Sequence, residues 1–286
     1  MLNLPDVIRS NRAFDRLSIG DVLIARYTCP LTDDEVGLWA ESDYLVHVLT
    51  GRKTWRTAAG TWTARAGDAI FFKKGACIVE QHREEEFCVL MFFIPDALVR
   101  EVVNDLGPGP ARESKAVQDP SAAIRVLDDV TLTGFFHSMR TYFAQTERPP
   151  EALLRLKLKE LLVGVMTGRH NPELAAYLGW LAGHVLPPLA SLMEANFRHN
   201  LPLEAYARMS HRSLSSFKRE FHAQFGVPPG QWLRDRRLAH AAQLLRATDR
   251  PVTEIAFDCG FEDASHFTKA FHLRFGQPPS AMRNRR

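Results

Sequence analysis

The segment SSFKREFHAQFGVPP, Ser215 to Pro229, returns fifty residues later as SHFTKAFHLRFGQPP, Ser265 to Pro279. Eight of the fifteen positions are identical: one Ser, three Phe, one His, one Gly and two Pro. Read as a helix over Ser213–Phe225, Leu214, Phe217, Phe221 and Phe225 follow one another at steps of 3, 4 and 4. That spacing makes one apolar face. Ser215, Lys218, Arg219 and His222 form a second stripe, polar and cationic. In the second copy, Ala264–Phe275, the residues Phe267, Phe271 and Phe275 are expected inside. Ser265, His266, Lys269 and His272 are expected outside. Gly followed by Pro-Pro ends each helix and starts another segment.

A shorter helical pattern precedes each copy: Leu203–Met209 before the first and Val252–Asp258 before the second. A short polar or Gly-containing turn links each pair. Two helices joined by a tight turn, the second with a polar outer stripe, predict a helix-turn-helix. In that motif the first helix braces the second, and the second lies in the major groove of DNA. Gly260 suits a turn position needing positive φ. The first turn has Ser210 and His211 there, a weaker signal. The pattern over Gln231–Arg246 predicts a helix holding the two units apart. At about 24 Å with flanking turns, it fits two readers about one DNA turn apart, ~34 Å.

Charge follows the same division. Residues 185–286 hold 15 Lys and Arg against 9 Asp and Glu, whereas the rest holds 21 against 24. A basic third on a slightly acidic body points to a polyanion partner, although scattered surface charge fits the same counts.

The segment Leu189–Arg286, and above all PVTEIAFDCGFEDASHFTKAFHLRFGQPPSAMR (Pro251–Arg283), resembles the DNA-binding region of the AraC/XylS transcriptional regulators. The earlier stretches YLVHVLTGRKTW and RAGDAIFFKKGACIV look like strand pairs of the cupin-like effector domain found in that family. The layout is similar to the subgroup of type III secretion activators. The resemblance implies base reading by Ser215, Lys218 and Arg219 in the first unit. In the second it implies Ala264, Ser265 and Lys269, with His266 adjacent. Lys218, Arg219 and Lys269 can donate to guanine O6 and N7. Ala264 offers only an apolar contact, so the second unit is expected to discriminate less. Ser213, His222, Thr268, His272 and Arg274 are phosphate or secondary candidates. Met282 stands where an aromatic residue is usual before Arg283.

The first half reads as β. Val22–Tyr27, Tyr44–Thr50, Thr54–Thr57, Thr61–Ala64, Ala69–Lys73, Ile78–Gln81 and Glu86–Ile94 are short β-branched or aromatic runs punctuated by Gly and Pro. They predict a sandwich or small barrel. Leu132–Gln145, Glu151–Thr167 and Asn171–Val185 are helical patterns, and Pro187–Pro188 marks a boundary. The expected fold is a two-domain α+β chain. Its first part is a cupin-like β-barrel with covering helices (1–168). A helical linker (169–187) leads to an all-α double helix-turn-helix domain (188–286). Trp55, Trp62, Phe71, Phe87 and Phe92 are candidates for an effector pocket. A filled small barrel accounts for them equally well. The apolar stripe on Glu151–Thr167 fits packing on the barrel, and the resemblance adds pairing with a second copy as a homodimer.

Enzymatic chemistry finds little support. His47, Glu80 and His82 are too scattered for a metal site, and no GxSxG, Walker or dinucleotide motif occurs. No catalytic residue, metal or cofactor is assigned. HREEEF (His82–Phe87) reads as a solvated hairpin loop. Cys29, Cys77, Cys88 and Cys259 show no CxxC spacing and read as reduced thiols of a cytoplasmic protein. No apolar run approaches the roughly 20 residues of a membrane span, and no signal peptide is visible. The expected function is a sequence-specific regulator of transcription, an activator by preference. Its partners are promoter DNA, RNA polymerase, and a small effector or regulatory protein. The alternatives are a metal-dependent cupin enzyme fused to a DNA-binding module, and an interaction adaptor whose helix-turn-helix units no longer bind DNA.

Overall fold

The structure is a computed structural model that describes all residues except 13, 29–34, 83–85, 108–121, 146–147, 185 and 284–286. Cys29 and residues 83–85 of the expected His82–Phe87 loop therefore lie outside the described residues. The chain separates into two compact units, Met1–Leu186 and Pro187–Arg286.

Among the described residues the first unit holds eleven strands in two sheets. A five-stranded sheet runs β1 (Leu2–Asn3), β4 (Glu35–Ala40), β9 (Gly75–Gln81), β6 (Arg52–Thr57), β7 (Gly60–Arg65). A six-stranded sheet runs β11 (Ala123–Val126), β8 (Ala69–Phe72), β5 (Asp43–Thr50), β10 (Cys88–Ile94), β3 (Val22–Thr28), β2 (Phe14–Ile19). Each sheet has its own hydrogen-bond ladder, so the expected barrel is instead a two-sheet arrangement that does not close.

Strand alternation divides the six-stranded sheet into two faces. Tyr44, Val46 and Val48 of β5, with Val89, Met91 and Phe93 of β10, share a core with Trp55, Cys77 and Val79 of the other sheet. Leu45, Leu90, Phe92 and Phe71 point the other way, into a core shared with four helices. These are α2 (Asp96–Leu106), α3 (Val130–Ala144), α4 (Glu151–Thr167) and α5 (Pro172–Ala182). Central strands buried on both faces explain apolar runs such as CVLMFFI. A short helix α1 (Leu4–Ser10) starts the unit, with the Asn3 side chain capping it at Asp6 N–H, 2.8 Å.

α5, within the segment 169–187 expected as a linker, packs in the core of the first unit. Asn171 is buried and accepts from Leu127 N–H at 2.7 Å while donating to Leu127 C=O at 2.9 Å. Tyr177 of α5 donates to the fully buried Asp43 carboxylate at 2.8 Å. Asp43 also accepts from Lys74 N–H at 2.7 Å, and Lys74 in turn pairs with buried Asp96 at 2.6 Å. Buried charge persists only when paired and hydrogen-bonded, and these groups meet that condition. Together they fasten α5 and the start of α2 to the sheet.

The second unit is helical: α6 (Leu189–Asn196), α7 (Leu203–Met209), α8 (Leu214–Phe225), α9 (Pro229–Ala247), α10 (Val252–Asp258), α11 (Ala264–Phe275), and a closing 3-10 turn, Pro279–Met282. Phe217 and Phe221 are fully buried on α8, as Phe267 and Phe271 are on α11. Burying each such ring is worth roughly 1.5–3 kcal/mol. Trp232 at the start of α9 meets Phe221 and Phe225 at 6.0 and 6.1 Å. Leu238, Ala241, Ala242 and Leu245 further along α9 pack with Ile255, Phe267, Phe271 and Met282. Met282 thus fills the place where an aromatic side chain was expected, and Arg283 donates to the Arg250 carbonyl.

Candidate DNA-binding surface

The two helix-turn-helix units are built by the same local devices. After α7 the chain passes Ser210, then His211 at φ +55°. After α10 it passes Cys259, then Gly260 at φ +82°. Arg212 N–H then donates to Ala207 C=O at 2.9 Å, and Phe261 N–H to Ala256 C=O at 3.1 Å. Both closures have the Schellman pattern that ends helices. Ser213 caps α8 by accepting from Ser216 N–H at 3.2 Å. Asp263 caps α11 by accepting from Ser265 N–H at 2.7 Å. Each reader helix ends at a left-handed glycine, Gly226 at φ +72° and Gly276 at φ +70°. The second turn, residues 259–263, is one residue longer than the first, residues 210–213.

Gly260 is required for two reasons. A left-handed φ favours glycine, and a Cβ there would stand 2.6 Å from the Arg198 carbonyl oxygen. The close approach has a cause. Arg237 of α9 is partly buried and donates to three carbonyls: Phe197 at 2.6 Å, His199 at 2.8 Å and Gly260 at 3.1 Å. One guanidinium thereby joins the α6–α7 connection to the second turn. Burial pulls its pKa below the ordinary arginine value. Nothing in the sequence singled out Arg237 among the arginines of RDRR, Arg234–Arg237.

The outward faces follow the two predicted stripes. Ser215, Lys218, Arg219 and His222 are exposed on α8. Ser265, His266, Thr268, Lys269, His272 and Arg274 are exposed on α11, and Ala264 is half-buried at its first turn. Ser213 is exposed at the α8 cap. The one carboxylate on α8, Glu220, is drawn aside by Arg212 of the turn at 2.8 Å. No acidic residue occurs on α11. Among the described residues, Lys218 and Lys269 make no ion pair or hydrogen bond. Arg219 makes a 3.4 Å contact with the Ser216 hydroxyl, and Arg274 lies 3.9 Å from Asp235. Thr268 donates its hydroxyl to Ala264 C=O at 2.8 Å, which leaves it only as an acceptor. Leu273, 88% exposed beside this stripe, was not among the expected contacts.

α9 spans 19 residues, about 28 Å at the α-helical rise. It is longer than the Gln231–Arg246 reading because Pro229 and Gly230 belong to its first turn and Ala247 to its last.

The expected effector aromatics do not come together. Trp55 and Phe87 lie between the sheets, 6.4 Å apart, with Trp62 half-buried against them. Phe71 and Phe92 are fully buried on the opposite face of the six-stranded sheet, under the helices. The five side chains divide between two packed cores.

His47, Glu80 and His82 do not converge either. His47 stacks on Phe136 at 3.9 Å. Glu80 pairs with Arg56 at 2.7 Å, and His82 is 3.0 Å from the Thr54 hydroxyl. Among the described residues no group of His, Cys, Asp and Glu could hold a metal ion. Among those residues, too, no helix is long and apolar enough to cross a membrane.

Comparison with known proteins gives two domain matches. Residues 43–177 match the ExsA N-terminal regulatory domain, and residues 206–285 match a helix-turn-helix domain. The chain is 25% identical over 245 residues to the virulence regulon transcriptional activator VirF of Yersinia enterocolitica, covering 84% of this chain and 89% of that protein. It is 25% identical over 236 residues to the HTH-type transcriptional regulator ExsA of Pseudomonas aeruginosa, covering 82% and 84%. A solved transcriptional regulator with an AraC-type DNA-binding domain, from Chromobacterium violaceum, is 30% identical with a TM-score of 0.31, covering 33% of this chain and 84% of that one.

Proposed function

We propose that this chain, a member of the AraC/XylS family of transcriptional regulators, activates transcription by laying α8 and α11 in successive major grooves on one face of promoter DNA. One observation carries the reading. The chain builds one scaffold twice, with the same buried phenylalanines and the same left-handed turn, and puts different exposed side chains on each copy.

Lys218 and Arg219 on α8 and Lys269 on α11 donate to base edges, with guanine O6 and N7 the matching acceptors. Ser215, Ser265 and His266 extend those contacts, and Ala264 offers a methyl group. Ser213, His222, Thr268, His272 and Arg274 flank them at phosphate positions, which set register and carry no sequence information. Unlike side chains on the two readers favour two unlike half-sites in tandem over a palindrome.

The first unit receives the signal, a small effector or a regulatory protein, and RNA polymerase is the downstream partner. A signal changes DNA binding only through unequal affinity for two states of the protein. The activity is regulatory rather than enzymatic, in the cytoplasm, and a homodimer is compatible with it.

The test is promoter binding by the full chain and by an Arg219→Ala, Lys269→Ala double variant, over a range of salt. Loss of two base contacts is expected to weaken specific binding by about 100-fold or more, with the fold preserved because both side chains are exposed. Unchanged affinity and selectivity would sink the contact assignment.

A further inference from the structure

A cleft of about 410 Å³ opens on the helix-covered face of the six-stranded sheet. Its floor carries Arg26 of β3, Leu49 of β5 and Cys88 of β10. Its wall carries His137, Arg140 and Ala144 of α3. The wall residues lie three and seven positions apart, a spacing that puts them on one helix face. The volume falls within the range of small-molecule sites, roughly 300–1,000 Å³.

Among the described lining residues the fixed charges have one sign. Two guanidiniums and an imidazole face the space, and no carboxylate of the described residues lines it. Arg26 is partly committed: it pairs with Asp15 at 2.8 Å and lies 5.6 Å over the Phe143 ring. Arg140 is exposed and makes no ion pair or hydrogen bond among the described residues. Its charge nevertheless reaches inward. Burial pushes the neighbouring His47 imidazole down to about 4; Asp128 opposes that shift and Arg140 adds to it. Leu49 and Ala144 supply apolar surface beside the cations.

We propose that this cleft binds a small organic anion, with Arg140 as the principal anchor, Arg26 as the second and Leu49 with Ala144 against the apolar body of the ligand. A planar guanidinium matches carboxylate and phosphate oxygens in a bidentate fork. A concave wall with only positive charge repels cations and concentrates anions. The proposal rests on the reading that the first unit receives a small effector, and it names the place and the chemical class.

Titration calorimetry on the full chain tests it, with phenylacetate as an anion on an apolar body and inorganic phosphate as an anion without one. Saturable binding of phenylacetate is expected, with phosphate weaker. Arg140→Gln should weaken phenylacetate by about tenfold or more, the worth of one charge-assisted contact. Arg65→Gln, an exposed change on β7, should leave it unaltered. No saturable phenylacetate binding up to about 10 mM, equal affinity in Arg140→Gln, or phosphate binding as tight as phenylacetate overturns the proposal. Promoter affinity in the same samples separates the site from the regulatory reading. If phenylacetate binds through Arg140 but promoter affinity ignores it, the site stands and the regulatory reading falls. If promoter affinity responds to phenylacetate equally in Arg140→Gln, the regulatory reading stands and the site falls.

Discussion

His211 and Gly260 hold the same left-handed place, two residues beyond the first helix of each helix-turn-helix, at φ +55° and +82°. The two positions are not interchangeable, because only at Gly260 would a Cβ meet backbone, 2.6 Å from the Arg198 oxygen. Gly260→Ala is therefore expected to destabilise the second unit by roughly 2–4 kcal/mol, from strain and clash together. His211→Gly relieves a left-handed L-residue but adds freedom to the unfolded chain, so it should be neutral or stabilising by up to about 1 kcal/mol. Amide hydrogen exchange in α10 and α11, and in α7 and α8, reads the two effects separately. Equal losses at both positions would contradict the steric account.

Arg237 should behave as a structural clamp. Its guanidinium serves the Phe197, His199 and Gly260 carbonyls at once. Arg237→Met leaves three partly buried acceptors short of a donor and is expected to cost about 3 kcal/mol or more. Arg237→Lys should recover only part of that, since an ammonium lacks the rigid fork. Exchange protection around Gly260 reports the loss; wild-type protection in the methionine variant would rule the clamp out.

Tyr177 donates to the fully buried Asp43 carboxylate. Tyr177→Phe removes that donor with little change of shape. A destabilisation of the first unit by about 1–3 kcal/mol is expected. It should appear as weakened protection of α5. A change confined to the second unit would contradict the docking of α5 on the sheet.

His47 predicts an acid-sensitive first unit. Its folded pKa lies near 4, below the ordinary 6.5, chiefly through burial. Between those values the unfolded chain binds the proton and the folded chain does not, so stability rises with pH across that window. The His47 contribution is complete above pH 6.5 and is lost as pH falls toward 4. It amounts to no more than about 3 kcal/mol. His47→Phe keeps a ring against Phe136 and removes the titration, so urea midpoints of the variant should vary less between pH 4 and 6.5. A wild-type pH slope in the variant would show that other groups set it.

The double helix-turn-helix was legible because its signal is local. Phenylalanines at helical spacing, a stop of Gly, one further residue and two Pro, and a second copy of both fix which face is buried before any tertiary contact is known. In the first unit the helices α3, α4 and α5 were legible from their apolar spacing, but the sheets only as a set of strands. In CVLMFFI both faces are buried, so no alternation marks which side Phe92 takes, and the five proposed pocket aromatics fell into two cores. The helix α2 went unread because it begins immediately after the strand-ending Pro95. Its apolar set, Leu98, Val99, Val102 and Val103, spans little more than one turn. α1 and the strands β1, β2, β4 and β11 were missed as well. β2 pairs only with β3, and β11 only with β8; such edge strands are defined by their neighbours. Arg237 carries no local mark at all, since its three partners lie 23 to 40 residues away in sequence.

The most direct measurement is a footprint of the full chain on its promoter, repeated with a Lys218→Ala, Arg219→Ala variant and with a Lys269→Ala variant. The account predicts two protected major-groove segments about 10 base pairs apart, in tandem and unlike in sequence. The α8 variant should lose protection at one segment and the α11 variant at the other. Protection lost at the same segment in both variants, or a palindromic pair of segments, would contradict two unlike readers on one scaffold.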